Sequence, residues 1–217
     1  MDTPDVSRET SDFSVVPLEL APFFPERQKE VARYAEILAT WGIERGLIGP
    51  REGDRIWERH IANCISVSTL IPQNASVADI GSGAGLPGIV IALARPDLRI
   101  TLIEPLQRRC DFLTEVAAEL GIEVTVIRGR AESVKGSFGV VTARAVAALP
   151  KLLNVSWHLL APGGLYLAMK GEAAAVELAE AQEVNKKTFK KVAESLVKEI
   201  ELPGIPLARV VQLKKAG

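Results

Sequence analysis

The segment Asp79-Ile80-Gly81-Ser82-Gly83-Ala84-Gly85-Leu86-Pro87-Gly88 constrains this chain more than any other. Its glycines follow a short apolar run, Val77-Ala78-Asp79-Ile80, and lead into residues 86–94, which have helical spacing. A buried strand that ends in glycines and turns directly into a helix is a building unit of a parallel α/β sheet. The carboxyl end of such a strand is where an open sheet binds ligands, with the helix N-terminus beside it.

The rest of the chain agrees with that unit. Residues 99–104 (RITLIE) read as a second strand, and 106–120 as a strongly periodic helix closed by Gly121. Further strands are expected at 124–127, 140–142 and 165–169, helices at 173–184 and 192–200, and a last strand at 208–213. Before residue 72 the pattern is helical: Val31, Tyr34, Ala35 and Leu38 recur at three- and four-residue steps. A second face runs Ile56, Trp57, His60, Ile61, Cys64, and the break between the two holds Gly42, Gly46, Pro50 and Gly53. The expected organisation is therefore an acidic, flexible arm over 1–25, a helical extension over 26–72, and a mostly parallel sheet flanked by helices over 73–217. The fold class is α/β.

Two cofactor classes compete for the glycine loop. Gly83 to Gly88 satisfies G-x-G-x-x-G, the dinucleotide pattern, with Glu104 about 20 residues further on. Counted from Asp79, the same stretch is D-x-G-x-G-x-G, with a carboxylate inside the strand end. A pyrophosphate is repelled by that carboxylate, whereas a sulfonium cofactor bearing an α-amino group can use it. Glu104 suits the ribose hydroxyls of either. The balance favours S-adenosylmethionine over a nicotinamide dinucleotide.

Composition removes other classes. No apolar run approaches the roughly 20 residues of a membrane span, and the N-terminus has no secretory signal pattern, so a cytoplasmic protein is expected. Cys64 and Cys110 are too few for a disulfide framework or a structural zinc site, and no metal is expected. Net charge is −1, but residues 1–26 carry six acids against Arg8 alone. The body is mildly basic, which permits a local polyanion-binding patch. Arg108-Arg109, Arg128 with Arg130, and the KKTFKK run at 186–191 are the basic groups; the last reads best as a solvated helix face. No exposed apolar stripe demands a partner, so a monomer is expected.

The run from Ala78 to Glu132, followed by VVTARAV and LAMKG, resembles the bacterial RsmG (GidB) methyltransferases. The similarity spans roughly residues 41–171, including WERHIANC. It implies a Rossmann-like fold and S-adenosylmethionine-dependent N7 methylation of a guanine in 16S ribosomal RNA, either free or in the small subunit. Asp79, Gly81, Gly83, Gly85, Leu86, Glu104, Ala131, Glu132 and Arg144 are then the expected cofactor-site residues. Arg144 and Arg130 are expected at the reacting groups, and Arg108, Arg130 and Lys170 on the RNA. The chain departs from the family pattern at Asn63, where an acid is common, and at Gly139, where many relatives have Asp. An acceptor other than RNA, or a nicotinamide-dependent oxidation, are the competing functions. No [DN]-P-P-[YFW] motif for exocyclic-amine methylation is present. Neither cysteine is placed convincingly as a nucleophile.

Overall fold

The computed structural model of the chain describes residues 13–217. Seven strands form one sheet in the order β3-β2-β1-β4-β5-β7-β6. Their ranges are β1 Ser76–Ile80, β2 Arg99–Glu104, β3 Thr125–Arg128, β4 Phe138–Arg144, β5 Leu160–Lys170, β6 Val192–Leu202 and β7 Ile205–Lys215. Strands β1 to β5 run parallel, and β7 lies antiparallel between β5 and β6. The chain starts in the middle of the sheet at β1, crosses outward to β2 and β3, then returns to β4 on the other side. That reversal opens a crevice between the carboxyl ends of β1 and β4.

Alternation along the strands divides the core in two. Val77, Leu102, Val140 and Leu167 face the layer of α1 (Gln28–Ile37), α2 (Asn63–Ser68), α3 (Gly88–Ala94) and α4 (Gln107–Glu119). Ala78, Ile80, Ile103, Val141, Ala143 and Tyr166 face α5 (Leu149–Ser156) and α6 (Ala174–Val184) on the opposite side. This period-two partition produces the three layers that the strand–helix alternation implied.

Two expectations need correction. Residues 192–200 are strand β6, not a helix. Val192, Leu196, Val197 and Ile200 stand at steps close to helical ones, but hairpin pairing with β7 across the Pro203-Gly204 turn overrides that propensity. Glu194, Lys198, Glu199 and Glu201 then guard an edge strand against pairing with another chain. The arm expected over 1–25 is packed, not flexible, at Val16, Leu20 and Phe24, which are buried in the core beside α1. Its first twelve residues lie outside the described residues.

The helical extension is wound unusually. Leu38–Gly42 and Ile56–Ala62 are π-helical, the second running straight into α2. Wide turns of this kind re-aim side chains and occur often at functional sites. Among the described residues, no helix is long and apolar enough to cross a membrane.

Candidate active site

The parallel strands deliver most of the expected site residues to one rim. Asp79 is the penultimate residue of β1, and Glu104, Arg144 and Lys170 end β2, β4 and β5. Ala131 and Glu132 begin a short 3₁₀ turn after β3, with Arg130 immediately before it. Arg108 lies exposed in the first turn of α4.

The loop between β1 and α3 is held by its own backbone. Gly81 N–H donates to the Ile103 carbonyl at 2.8 Å, and the N–H groups of Gly85 and Leu86 donate to the Ser82 carbonyl at 2.7 and 3.1 Å. Gly85 sits at φ +97°, where a Cβ would also come within 2.4 Å of Ile89 Cγ1, so only glycine fits. A Cβ on Gly83 would meet nothing nearer than the Gly81 carbonyl at 3.8 Å, so the space over that residue is open to a ligand. The extension reaches the loop as well: Tyr34 Oη donates to the Ala84 carbonyl at 2.8 Å.

Glu104 is 1% exposed, and both its oxygens face backbone donors. Oε2 accepts from Gly83 N–H at 3.0 Å and Oε1 from Leu106 N–H at 3.1 Å. Arg109 Nη1 stands 3.8 Å from Oε2. One carboxylate thereby ties the glycine loop to the start of α4. A carboxylate has lone pairs beyond the two used here, which suits it to accept from sugar hydroxyls.

Asp79 lies deeper than the sequence suggested. It is fully buried beneath the loop, with Oδ2 accepting from Gly88 N–H at 3.1 Å. A Cβ on Gly88 would come within 2.7 Å of that oxygen, so glycine here lets helix α3 seat on the carboxylate. Oδ1 is buried with no hydrogen-bond partner among the described residues. Burial pushes the Asp79 carboxyl up to about 7, against the opposing pull of Ser82, the Gly88 N–H and Arg144. The folded protein therefore binds a proton there that the unfolded chain has released, and this contribution to stability is lost as pH rises towards and through about 7. Asp79→Asn, which keeps an acceptor for Gly88, is expected to melt higher than the unaltered protein at pH 8. The gap should shrink at pH 5, changing by up to roughly 1.4 kcal/mol per unit of displaced titration. Equal gaps at the two pH values would contradict the buried-acid account.

Arg144 reaches from the end of β4 to the extension with one edge of its guanidinium. Its Nη2 lies 2.5 Å from His60 Nδ1, and Nη1 donates to the His60 carbonyl at 3.2 Å and to Cys64 Sγ at 3.4 Å. His60 Nε2 in turn lies 3.1 Å from Glu52 Oε2. Burial, then the Arg144 charge, lower the His60 imidazole to about 4, so it is neutral near pH 7. The packed histidine expected from the sequence thus also bridges two charged groups. Burial raises the Cys64 thiol to about 11, which suits a packed thiol and not a nucleophile.

Lys170, at the end of β5, makes internal contacts. Its side chain is 10% exposed, with Nζ 2.7 Å from Glu177 Oε2 and donating to the Ala147 carbonyl at 2.7 Å. Glu177 also accepts from Leu149 N–H at 2.7 Å. The lysine thereby clamps the β4–α5 loop. That loop carries Ala145 at φ +55° and Val146, whose side chain rests on Gly81. Arg108 and Arg130 remain exposed, and neither side chain has a hydrogen bond or ion pair among the described residues. The KKTFKK segment starts in α7 (Lys186–Phe189), at the opposite edge of the sheet from the rim.

Sequence reasoning did not single out Tyr34, Glu52, Val146 or Glu177. No local signal marks them: Tyr34 meets a carbonyl 50 positions away, and Glu52 and Glu177 meet His60 and Lys170 only through the folding of the turns between them.

Comparison with known proteins agrees with this architecture. Residues 27–202 match the family described as rRNA small subunit methyltransferase G. A ribosomal RNA small subunit methyltransferase G from Nocardioides sp. is 53% identical over 182 residues, covering 82% of this chain and 72% of that protein. The protein of the same name from Acidothermus cellulolyticus is 59% identical over 153 residues, covering 70% and 69%. Among solved structures, M. jannaschii TYW2 in complex with AdoMet superposes with a TM-score of 0.57 at 19% identity, over 74% of this chain and 77% of that one. A methyltransferase from Pyrococcus furiosus gives 0.56 at 17% identity, over 89% and 100%. These two likenesses speak for the Rossmann-like methyltransferase fold. By its match over most of its length and by its relatives, the chain belongs to the rRNA small subunit methyltransferase G family.

Proposed function

We propose that the protein transfers the methyl group of S-adenosylmethionine to N7 of a guanine in 16S ribosomal RNA, acting in the cytoplasm as a monomer. The observation that carries the reading is the juxtaposition, along one rim, of a buried Asp79 oxygen with no hydrogen-bond partner among the described residues, open space over Gly83 and the carboxylate of Glu104. Asp79 Oδ1 meets the cofactor's α-ammonium, directly or through one water. Glu104 accepts from the ribose hydroxyls, while Gly81, Gly85 and Leu86 shape the methionine end and Ala131 with Glu132 borders the adenine. A sulfonium supplies an activated methyl carbon.

The acceptor explains what the chain's residues have to do. Guanine N7 has an in-plane lone pair, so no proton is removed before attack. The protein's task is alignment and exclusion of water, which is positioning. Arg144 donates to an oxygen of the acceptor, O6 or phosphate, and leaves N7 free. Arg130, and Arg108 at the start of α4, hold the RNA backbone as freely extended cations. Lys170 acts one step behind, by fixing the loop that carries Val146.

Salt dependence tests the acceptor class. Transfer to small-subunit RNA should fall steeply with added salt and be inhibited by unrelated polyanions. Arg108→Ala and Arg130→Ala should each lower the slope of log affinity against log salt by roughly 1. A flat salt response would favour a small-molecule or protein acceptor instead.

A further inference from the structure

Glu52 and His60 have no part in the site just described, yet they determine how Arg144 is presented. We propose that they are positioning residues: Glu52 fixes the tautomer of His60, and His60 fixes the guanidinium of Arg144 with one edge free for an acceptor oxygen. The inference rests on the reading of the acceptor as guanine in RNA only for the identity of that oxygen.

An arginine has five N–H donors and no acceptor, so the His60 nitrogen facing Arg144 Nη2 must present a lone pair. A neutral imidazole with a lone pair on Nδ1 carries its proton on Nε2. That Nε2–H faces Glu52 Oε2 at 3.1 Å, and a carboxylate only accepts. Glu52 is itself held by Arg59, whose Nη1 donates to Oε1 at 2.9 Å. Arg144 donates to His60, His60 donates to Glu52 and Arg59 donates to Glu52, so the bonds from both ends converge on one carboxylate.

The count at Arg144 then becomes informative. Nη1 spends both hydrogens, on the His60 carbonyl and Cys64 Sγ, and Nη2 spends one on His60 Nδ1. Nε–H and the second Nη2 hydrogen have no partner among the described residues. With the Nη1–Nη2 edge against His60, the unspent pair lies on the adjacent edge of the planar group, a two-pronged donor for oxygen. His60 itself is 7% exposed and sits in the π-helical turn Ile56–Ala62. The wide turn places ring and carbonyl of the same residue on one guanidinium.

Two kinds of measurement test the pair. In ligand-free protein, nitrogen NMR should show hindered rotation of the Arg144 guanidinium and an Nε2-protonated His60; His60→Leu should speed that rotation, with the bonds to the residue-60 carbonyl and Cys64 Sγ retained. Free rotation in the unaltered protein, or the opposite tautomer, would overturn the proposal whatever the acceptor is. In methyl transfer to small-subunit RNA, His60→Leu should lower kcat/KM for RNA by roughly 10- to 100-fold, the range expected when a reacting group is slightly misplaced. Affinity for S-adenosylhomocysteine, read by calorimetry, should stay within about twofold, since no cofactor contact is removed. His60→Asn, which keeps an oxygen acceptor near the place of Nδ1, should restore much of the loss. The double variant with Arg144→Ala should be no worse than Arg144→Ala alone. Independent, additive losses would show that His60 acts through something other than Arg144. If the unaltered protein keeps the NMR signature yet labels no RNA, the acceptor reading has failed while the positioning pair stands.

Discussion

Glu104→Gln is expected to weaken binding of S-adenosylmethionine by roughly 10- to 100-fold, the range for losing charge-assisted hydrogen bonds. The reason lies in the dual use of this carboxylate. Oε1 and Oε2 accept from Leu106 and Gly83 N–H, so the glutamate holds the loop and, in the proposed complex, also accepts from the ribose. Glutamine keeps the volume and one acceptor oxygen, but its NH₂ group turns a donor towards one of the two backbone N–H groups. The fold should survive, because the rest of the loop is fixed by bonds to the Ile103 and Ser82 carbonyls. Calorimetry with S-adenosylhomocysteine, beside a thermal melt, separates the two effects. Unchanged affinity in a folded variant would remove the ribose role.

Arg144→Ala is expected to lower kcat/KM for RNA on the order of 100-fold or more, with cofactor affinity changed far less. Two donors to the acceptor are lost, each charge-assisted hydrogen bond worth roughly 1.5–3 kcal/mol. The variant also leaves His60 Nδ1 and the His60 carbonyl without their donor, which lowers stability modestly. Steady-state kinetics with RNA varied at saturating cofactor would register the loss. A folded variant that methylates at the unaltered rate would contradict the assignment of Arg144 to the acceptor side.

Much of the sheet was legible because its short apolar runs and glycine loop are local signals. Asp79 and Glu104 were legible for the same reason: each lies at the carboxyl end of a strand whose direction the pattern defines. The β6 segment was not, because its apolar residues satisfy two periodicities and the deciding partner is β7. Lys170 shows another limit. Its place at the rim could be read from LAMKG, but its ion pair with Glu177 depends on how α6 packs back over β5. The Arg144 network was the least legible part. It joins residues 8 and 84 positions apart, and a π-helical turn that no sequence pattern announced aims His60 at the guanidinium.

The most direct test of the account is transfer of labelled methyl from S-adenosylmethionine to small-subunit RNA lacking its native N7-methylguanine, followed by nucleoside analysis. Label confined to 7-methylguanosine is the predicted result. Label in another nucleoside would contradict the positioning-only chemistry, and no label on naked RNA or assembled subunits, with cofactor binding intact, would contradict the acceptor itself.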